Sequence, residues 1–206
     1  AMNIRFNRYG TMEMVDFYIF RHGETDINKQ KRWQGSGTDV DLNETGRAQA
    51  ACLFDKLKDK KLEIIYSSPL IRAYHTAQIA AKPLGIEVVK FPDLRECHYG
   101  VAEGMTFDDV NRLYKEVGEA VFNPGQDKLD VRFPQGESIG EVRERVLTAM
   151  RTIAGEGYRC VGLAVHGGTM SNLLGYFGVE KPKVPNCGCI HAVYDHGEFR
   201  LAGNVF

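Results

Sequence analysis

The chain has no apolar run long enough to cross a membrane, no marked excess of one charge, no internal repeat and no low-complexity tract. Each absence excludes something. Without about 20 consecutive apolar residues there is no candidate membrane helix. A formal charge of -1 and a pI near 6.7 give no general electrostatic reason to hold nucleic acid or an anionic membrane. Any positive potential must therefore be local to a site. The five cysteines, Cys52, Cys97, Cys160, Cys187 and Cys189, are odd in number and lack the paired spacing of a zinc site. Cys187-Gly188-Cys189 with His191 nearby has no second pair to complete a tetrahedral set, so no metal is expected. No secretory leader precedes the first apolar strand, and the expected compartment is reducing and cytoplasmic. No linker-like segment divides the 206 residues, so one domain is expected, with residues 1–14 as a tag remnant or disordered lead-in.

What is present is an alternation of strand and helix. Val15 to Phe20, Leu62 to Tyr66, Ile86 to Phe91 and Cys160 to Val165 read as strands, and His191 to Asp195 with Glu198 to Ala202 as a closing hairpin. Asn43 caps a helix whose face carries Ala50, Leu53, Phe54 and Leu57; Ser68-Pro69 opens a second. Ser138-x-x-Glu141 is a capping box, with Ile139, Val142, Val146, Leu147 and Ile153 turned inward. Thr106-x-x-Asp109 starts a stripe of Phe107, Val110, Tyr114, Val117 and Val121. The expected fold is α/β, a mostly parallel sheet with helices on both faces and a helical excursion over 92–136.

Two strands end in the same way. One runs into Arg21-His22-Gly23, the other into His166-Gly167-Gly168. A strand end is a rigid platform, and an imidazole beside a guanidinium suits attack on a phosphoryl group. His22 is the candidate nucleophile, kept neutral by like-charge repulsion from Arg21 and fixed in one tautomer by a carbonyl of the Gly23 turn. Arg72, in the first turn of its helix, joins Arg21 on the phosphate oxygens; His166 is a third donor and Asn28 a neutral one. Glu96 is the candidate proton donor to the leaving alcohol. Taken singly, each except His22 is more simply a salt-bridge, surface or core residue. Taken together, in this order, they describe one active site.

The chain resembles the histidine phosphatase superfamily, the phosphoglycerate-mutase-like proteins. The resemblance is carried by Arg21-His22-Gly23-Glu24-Thr25 with Asn28, Leu42-x-x-x-Gly46-x-x-Gln49-Ala50 and Ser67-Ser68-Pro69-Leu70-x-Arg72-Ala73. Glu96-x-x-Tyr99-Gly100-x-x-Glu103-Gly104, Gly136-Glu137-Ser138 and His166-Gly167-Gly168 complete it. It implies a phosphohistidine at His22, a phosphate pocket of Arg21, Arg72, His166 and Asn28, Glu96 as proton donor, and no metal or organic cofactor. Thr25 and Gln34 are carried as substrate-binding residues beside them, with Arg32 and Glu24 as further candidates for the pocket wall. Two departures bear on the pocket: Ala102 stands where many of these phosphatases have tryptophan, opening that wall, and Asp41 stands where proline is common.

The expected activity is hydrolysis of a small phosphorylated metabolite, with no nucleic-acid or membrane partner and no prediction of oligomeric state. The alternatives are a cofactor-dependent phosphoglycerate mutase and an inactive phosphate-binding protein on the same fold. Only 70 positions separate Glu96 from His166, and the mutases of the family that the chain resembles carry a longer insertion there, which favours the phosphatase. Arg112, Lys115, Lys128 and Arg132 are candidates to read a second anionic group.

Overall fold

Strand β1 (Val15–Arg21) alternates Val15, Phe17 and Ile19 toward one face of the sheet and Phe20 toward the other, as a period of two requires. The computed structural model describes residues 14–203; the expectation for the lead-in falls almost wholly outside them. The chain continues through α1 (Asp26–Lys29), α2 (Glu44–Leu57), β2 (Ile64–Ser67), α3 (Ile71–Ala81) and β3 (Glu87–Lys90). After an irregular stretch come α4 (Phe107–Leu113), α5 (Lys115–Phe122), α6 (Ile139–Ala154), β4 (Cys160–Val165), α7 (Gly167–Tyr176), β5 (Cys189–Asp195) and β6 (Glu198–Gly203).

The six strands form one sheet in the order β3-β2-β4-β1-β5-β6. The first four run parallel, and β5 and β6 add an antiparallel hairpin at one edge. One apolar core joins Phe17, Ile19, Val161 and Leu163 to Val142, Val146, Met150 and Leu173, to Trp33 after α1, and to the excursion residues Tyr99 and Phe133. The other joins Phe20, Ile65 and Ala164 to Leu53 and Leu57 of α2 and Ala77 and Ala80 of α3. The sheet is thus covered on both faces, as the alternating pattern predicts.

Local signals held where a side chain closes its own hydrogen bond. Asn43 accepts from the Gly46 N–H, and Ser138 and Glu141 complete their capping box. Two expectations change. Ser68 is not the cap of α3, which begins at Ile71 with Leu70 at the cap; its hydroxyl meets His166 Nε2 and accepts from the Leu70 N–H, just ahead of the helix. The stripe from Phe107 to Val121 is two helices, broken at Tyr114 (φ -140°).

Register positions the site. Arg21 pairs with Val165, so His22 and His166 follow at the ends of neighbouring parallel strands. Ser67 pairs with Ala164, bringing Ser68 to the same edge. The turn after β1 is then pressed onto the start of α2: a Cβ at Gly46 would overlap the Glu24 carbonyl oxygen and lie 2.7 Å from the Glu24 nitrogen. Only glycine permits that approach. Gly46→Ala is expected to destabilise the protein by about 1–3 kcal/mol and to lower activity, because the turn carrying His22 must shift. Urea unfolding checks this; an unchanged midpoint would show that the contact is slack.

Candidate active site

His22 is 2% exposed, and its Nδ1 lies 2.7 Å from the Gly23 carbonyl oxygen. A carbonyl only accepts, so Nδ1 carries the proton and Nε2 keeps a free lone pair. The turn holding that carbonyl is itself fixed: Gly23 N–H donates to Thr76 Oγ1 at 3.0 Å, and Thr76 Oγ1 donates to the Arg72 carbonyl. The His166 ring stands edge-on to His22, centroids 5.2 Å apart.

Two guanidiniums flank the imidazoles. Arg72, fully buried on α3, donates through Nη1 to the Thr38 carbonyl at 2.6 Å and through Nη2 to the Gly35 carbonyl at 2.8 Å. Arg21 donates through Nη1 to the Val184 carbonyl at 2.6 Å. Both outer nitrogens of Arg72 and Nη1 of Arg21 are thus tied to backbone, and in each guanidinium the inner Nε is buried without a protein partner. His166 Nδ1 is likewise unpartnered, while its Nε2 meets Ser68 Oγ at 2.7 Å. Buried polar atoms without partners are costly and rare, and three of them cluster around His22.

Glu96 is 6% exposed and sits at the start of α7. Its Oε1 accepts from Cys97 N, Thr169 N and Thr169 Oγ1, and its Oε2 from Gly168 N at 3.0 Å. Oε2, with one donor, is the oxygen left able to handle a proton. The approach requires glycine at 168, where a Cβ would overlap the Tyr99 hydroxyl.

These groups open onto a cavity of about 410 Å³. Arg21, His22, Asn28, Gln34, Arg72 and Glu96 line it with Trp33, Tyr99, Phe107 and Phe122, an aromatic wall in which Tyr99 and Phe107 pack edge to face on Trp33 and Phe122 lies tilted against it. Burial, then the charges of Arg72 and Arg21, hold the His22 imidazolium well below the ordinary histidine range. Burial, then Arg72, His22 and Arg21, do the same to His166. Both rings are neutral, beside two cations. Burial pushes the Cys187 and Cys189 thiols up to about 12, in keeping with inert core residues.

A family model described as histidine phosphatase superfamily (branch 1) matches residues 17–204. The chain belongs to the histidine phosphatase superfamily. It is 35% identical to phosphoglycerate mutase-like protein 4 of Arabidopsis thaliana over 79% of this chain and 70% of the relative. It is 33% identical to phosphoserine phosphatase 1 of Hydrogenobacter thermophilus over 88% and 85%. It also matches the structure of a mycobacterial glucosyl-3-phosphoglycerate phosphatase in complex with VO3, with a TM-score of 0.77 and 26% identity over 93% of this chain and 98% of that one. The superfamily relatives thus carry both phosphatase and mutase names.

Of the eight residues expected at this histidine phosphatase site, six line the cavity and His166 packs directly against His22. Thr25 does not line it: it is fully buried as the cap of α1, its Oγ1 accepting from the Asn28 N–H. Asn28 spends its Oδ1 on the Thr25 N–H and turns its remaining surface to the cavity. Arg112, Lys115 and Arg132 pair instead with Asp109, Glu119 and Glu141, and Lys128 donates to the Asn123 carbonyl; none lines this cavity. The basic residues at its mouth are Arg32 and Lys183. Ala102 is buried in the core rather than opening the wall. Sequence reasoning missed the 182–186 segment, where Val184 holds Arg21 and Asn186 Nδ2 donates to the His22 carbonyl at 3.0 Å. The signal there was Pro182 and Pro185, marking an ordered turn before the last hairpin.

Two histidines held neutral in the native state make stability depend on pH. Their folded values lie below the unfolded value of about 6.5, so between the two the unfolded chain binds protons that the native chain does not. Stability is full above that value and falls as pH drops through it, by about 1.4 kcal/mol per pH unit for each histidine. Urea titrations from pH 7.5 to 5.5 should show this slope, reduced by one proton in His22→Asn. A flat profile across that window contradicts the neutral pair.

Proposed function

We propose that the chain is a phosphomonoester hydrolase that acts on a small phosphorylated metabolite through a phosphohistidine at His22. One arrangement carries the reading: a lone pair at His22 Nε2, fixed by the Gly23 carbonyl, amid the unpartnered Nε atoms of Arg21 and Arg72 and Nδ1 of His166. Such a set suits a tetrahedral anion, whose oxygens supply the acceptors those atoms lack.

In the first step His22 Nε2 attacks phosphorus and the bond to the ester oxygen breaks, while Glu96 gives its proton to the departing alcohol. Arg21, Arg72 and His166 hold the three equatorial oxygens as charge spreads over them. In the second step water attacks the phosphohistidine, Glu96 takes the proton from that water, and the P–N bond breaks. Inorganic phosphate leaves, and His22 and Glu96 return to their starting states. His22 needs no deprotonation first, because its surroundings already keep it neutral.

Hydrolysis rather than mutation is supported by the short span between Glu96 and His166 and by the phosphatase names of two of the relatives above. The purified protein is expected to release inorganic phosphate from several monoesters and to show no isomerase activity on 3-phosphoglycerate. His22→Ala should lower kcat by at least about 10³-fold, since it removes the group that bonds to phosphorus. Turnover should survive EDTA. Interconversion of phosphoglycerates without net phosphate release would make the chain a mutase, and strong EDTA inhibition would rule out the metal-free route.

A further inference from the structure

Glu96 is gripped from two sides, and only one grip belongs to its own carboxylate. The backbone behind it is held by a side chain of α6. Arg145 Nη1 donates to the Asp93 carbonyl at 2.7 Å and the Arg95 carbonyl at 3.1 Å, and Nη2 reaches the Glu96 carbonyl at 3.5 Å. The same guanidinium forks onto Glu137, with Nε to Oε1 at 3.0 Å and Nη2 to Oε2 at 2.9 Å; the two side chains are 10% and 19% exposed. Glu137 in turn accepts from the His98 N–H at 2.9 Å and from Arg95 Nη2 at 3.3 Å. One ion pair thus spans the backbone from Asp93 to His98, with Glu96 at its centre.

Helix α6 is also fixed to α7, whose N-terminal amides hold the Glu96 carboxylate. Arg143 Nε donates to Asn172 Oδ1 at 2.9 Å, and Asn172 Nδ2 donates to the Ile139 carbonyl at 2.8 Å. We infer that Arg145, locked by Glu137, is a positioning residue for the proton transfer: it sets where Glu96 stands relative to the ester oxygen while touching no phosphate group. Lysine can replace it only in part, because a single ammonium cannot span three carbonyls and a carboxylate as a planar fork does. The inference rests on the role proposed above for Glu96.

The test reads leaving-group dependence. A p-nitrophenolate leaves without a proton, whereas an alkoxide needs one. Arg145→Met is expected to lower kcat/KM on an alkyl phosphate by about tenfold or more, but on p-nitrophenyl phosphate by less than about threefold, since kcat/KM reads only the transfer to His22, where the alkyl leaving group alone uses the acid, and not the later hydrolysis that both substrates share. Inhibition by vanadate, which reads the anion clamp and the folded state, should change by less than about twofold. Arg145→Lys should show the same selectivity in weaker form. If Arg145→Met does not fold, Glu137→Gln, which keeps the shape and removes the charge, carries the same comparison. Equal losses on both substrates, or none on either, overturn the inference. Glu96→Gln separates it from the reading beneath: if that variant is selective and Arg145→Met is not, the positioning role alone fails. If Glu96→Gln is indifferent to the leaving group, the acid assignment fails and the positioning role goes with it.

Discussion

The hydrogen bond from His22 Nδ1 to the Gly23 carbonyl is the contact on which the site depends. It fixes the ring, chooses the tautomer and leaves one nitrogen with a lone pair inside a buried, cationic pocket. An unheld imidazole could rotate or change tautomer, and the adjacent guanidiniums would then have nothing to act with. Much of the surrounding fold serves this contact. The parallel pairing of β1 with β4 brings the second histidine alongside, Thr76 secures the turn, and the bare backbone of Gly46 lets α2 close against it.

The clamp follows a consistent design. Arg21 and Arg72 are not free cations reaching into a cavity; Arg21 is tethered through Nη1 to the Val184 carbonyl and Arg72 through both outer nitrogens to the carbonyls of Gly35 and Thr38. Tethering removes side-chain entropy before any ligand arrives and leaves the Nε edge unpaired. Buried, unpaired donors destabilise the fold at any pH and the two neutral histidines do so as pH falls, an example of structural stability yielding to the needs of a site. Glu96, the acid of the proposed mechanism, is held by the same means, with α7 amides on its carboxylate and Arg145 on its backbone.

How much of this the sequence disclosed depends on distance along the chain. The two strand-His-Gly exits, the capped helices and the sheet's two-sided burial were legible, because each arises from local periodicity or a cap within four residues. His22, Arg21, Arg72, Glu96 and His166 could be singled out only together, because two strand-His-Gly exits, an arginine in a helix's first turn and a glutamate between them suit one reaction in that order. The errors have physical causes. Ser68 looked like a helix cap because the sequence could not show that strand pairing would set it against His166. Thr25 looked like a ligand residue because it sits three positions from His22, yet the chain turns it inward to cap α1. Lys183, Val184 and Asn186 were invisible, since they lie about 160 residues from His22 and meet it only when β5 pairs with β1.

The central claim is that phosphorus becomes bonded to one imidazole nitrogen during turnover. The most direct measurement is rapid quench of the steady state followed by peptide mapping and phosphorus NMR of the trapped protein. The account predicts an acid-labile, base-stable phosphoryl group on Nε2 of His22, appearing and decaying fast enough to carry turnover. A phosphoryl group on any other residue, or turnover with none trapped under conditions that preserve phosphohistidine, would contradict it.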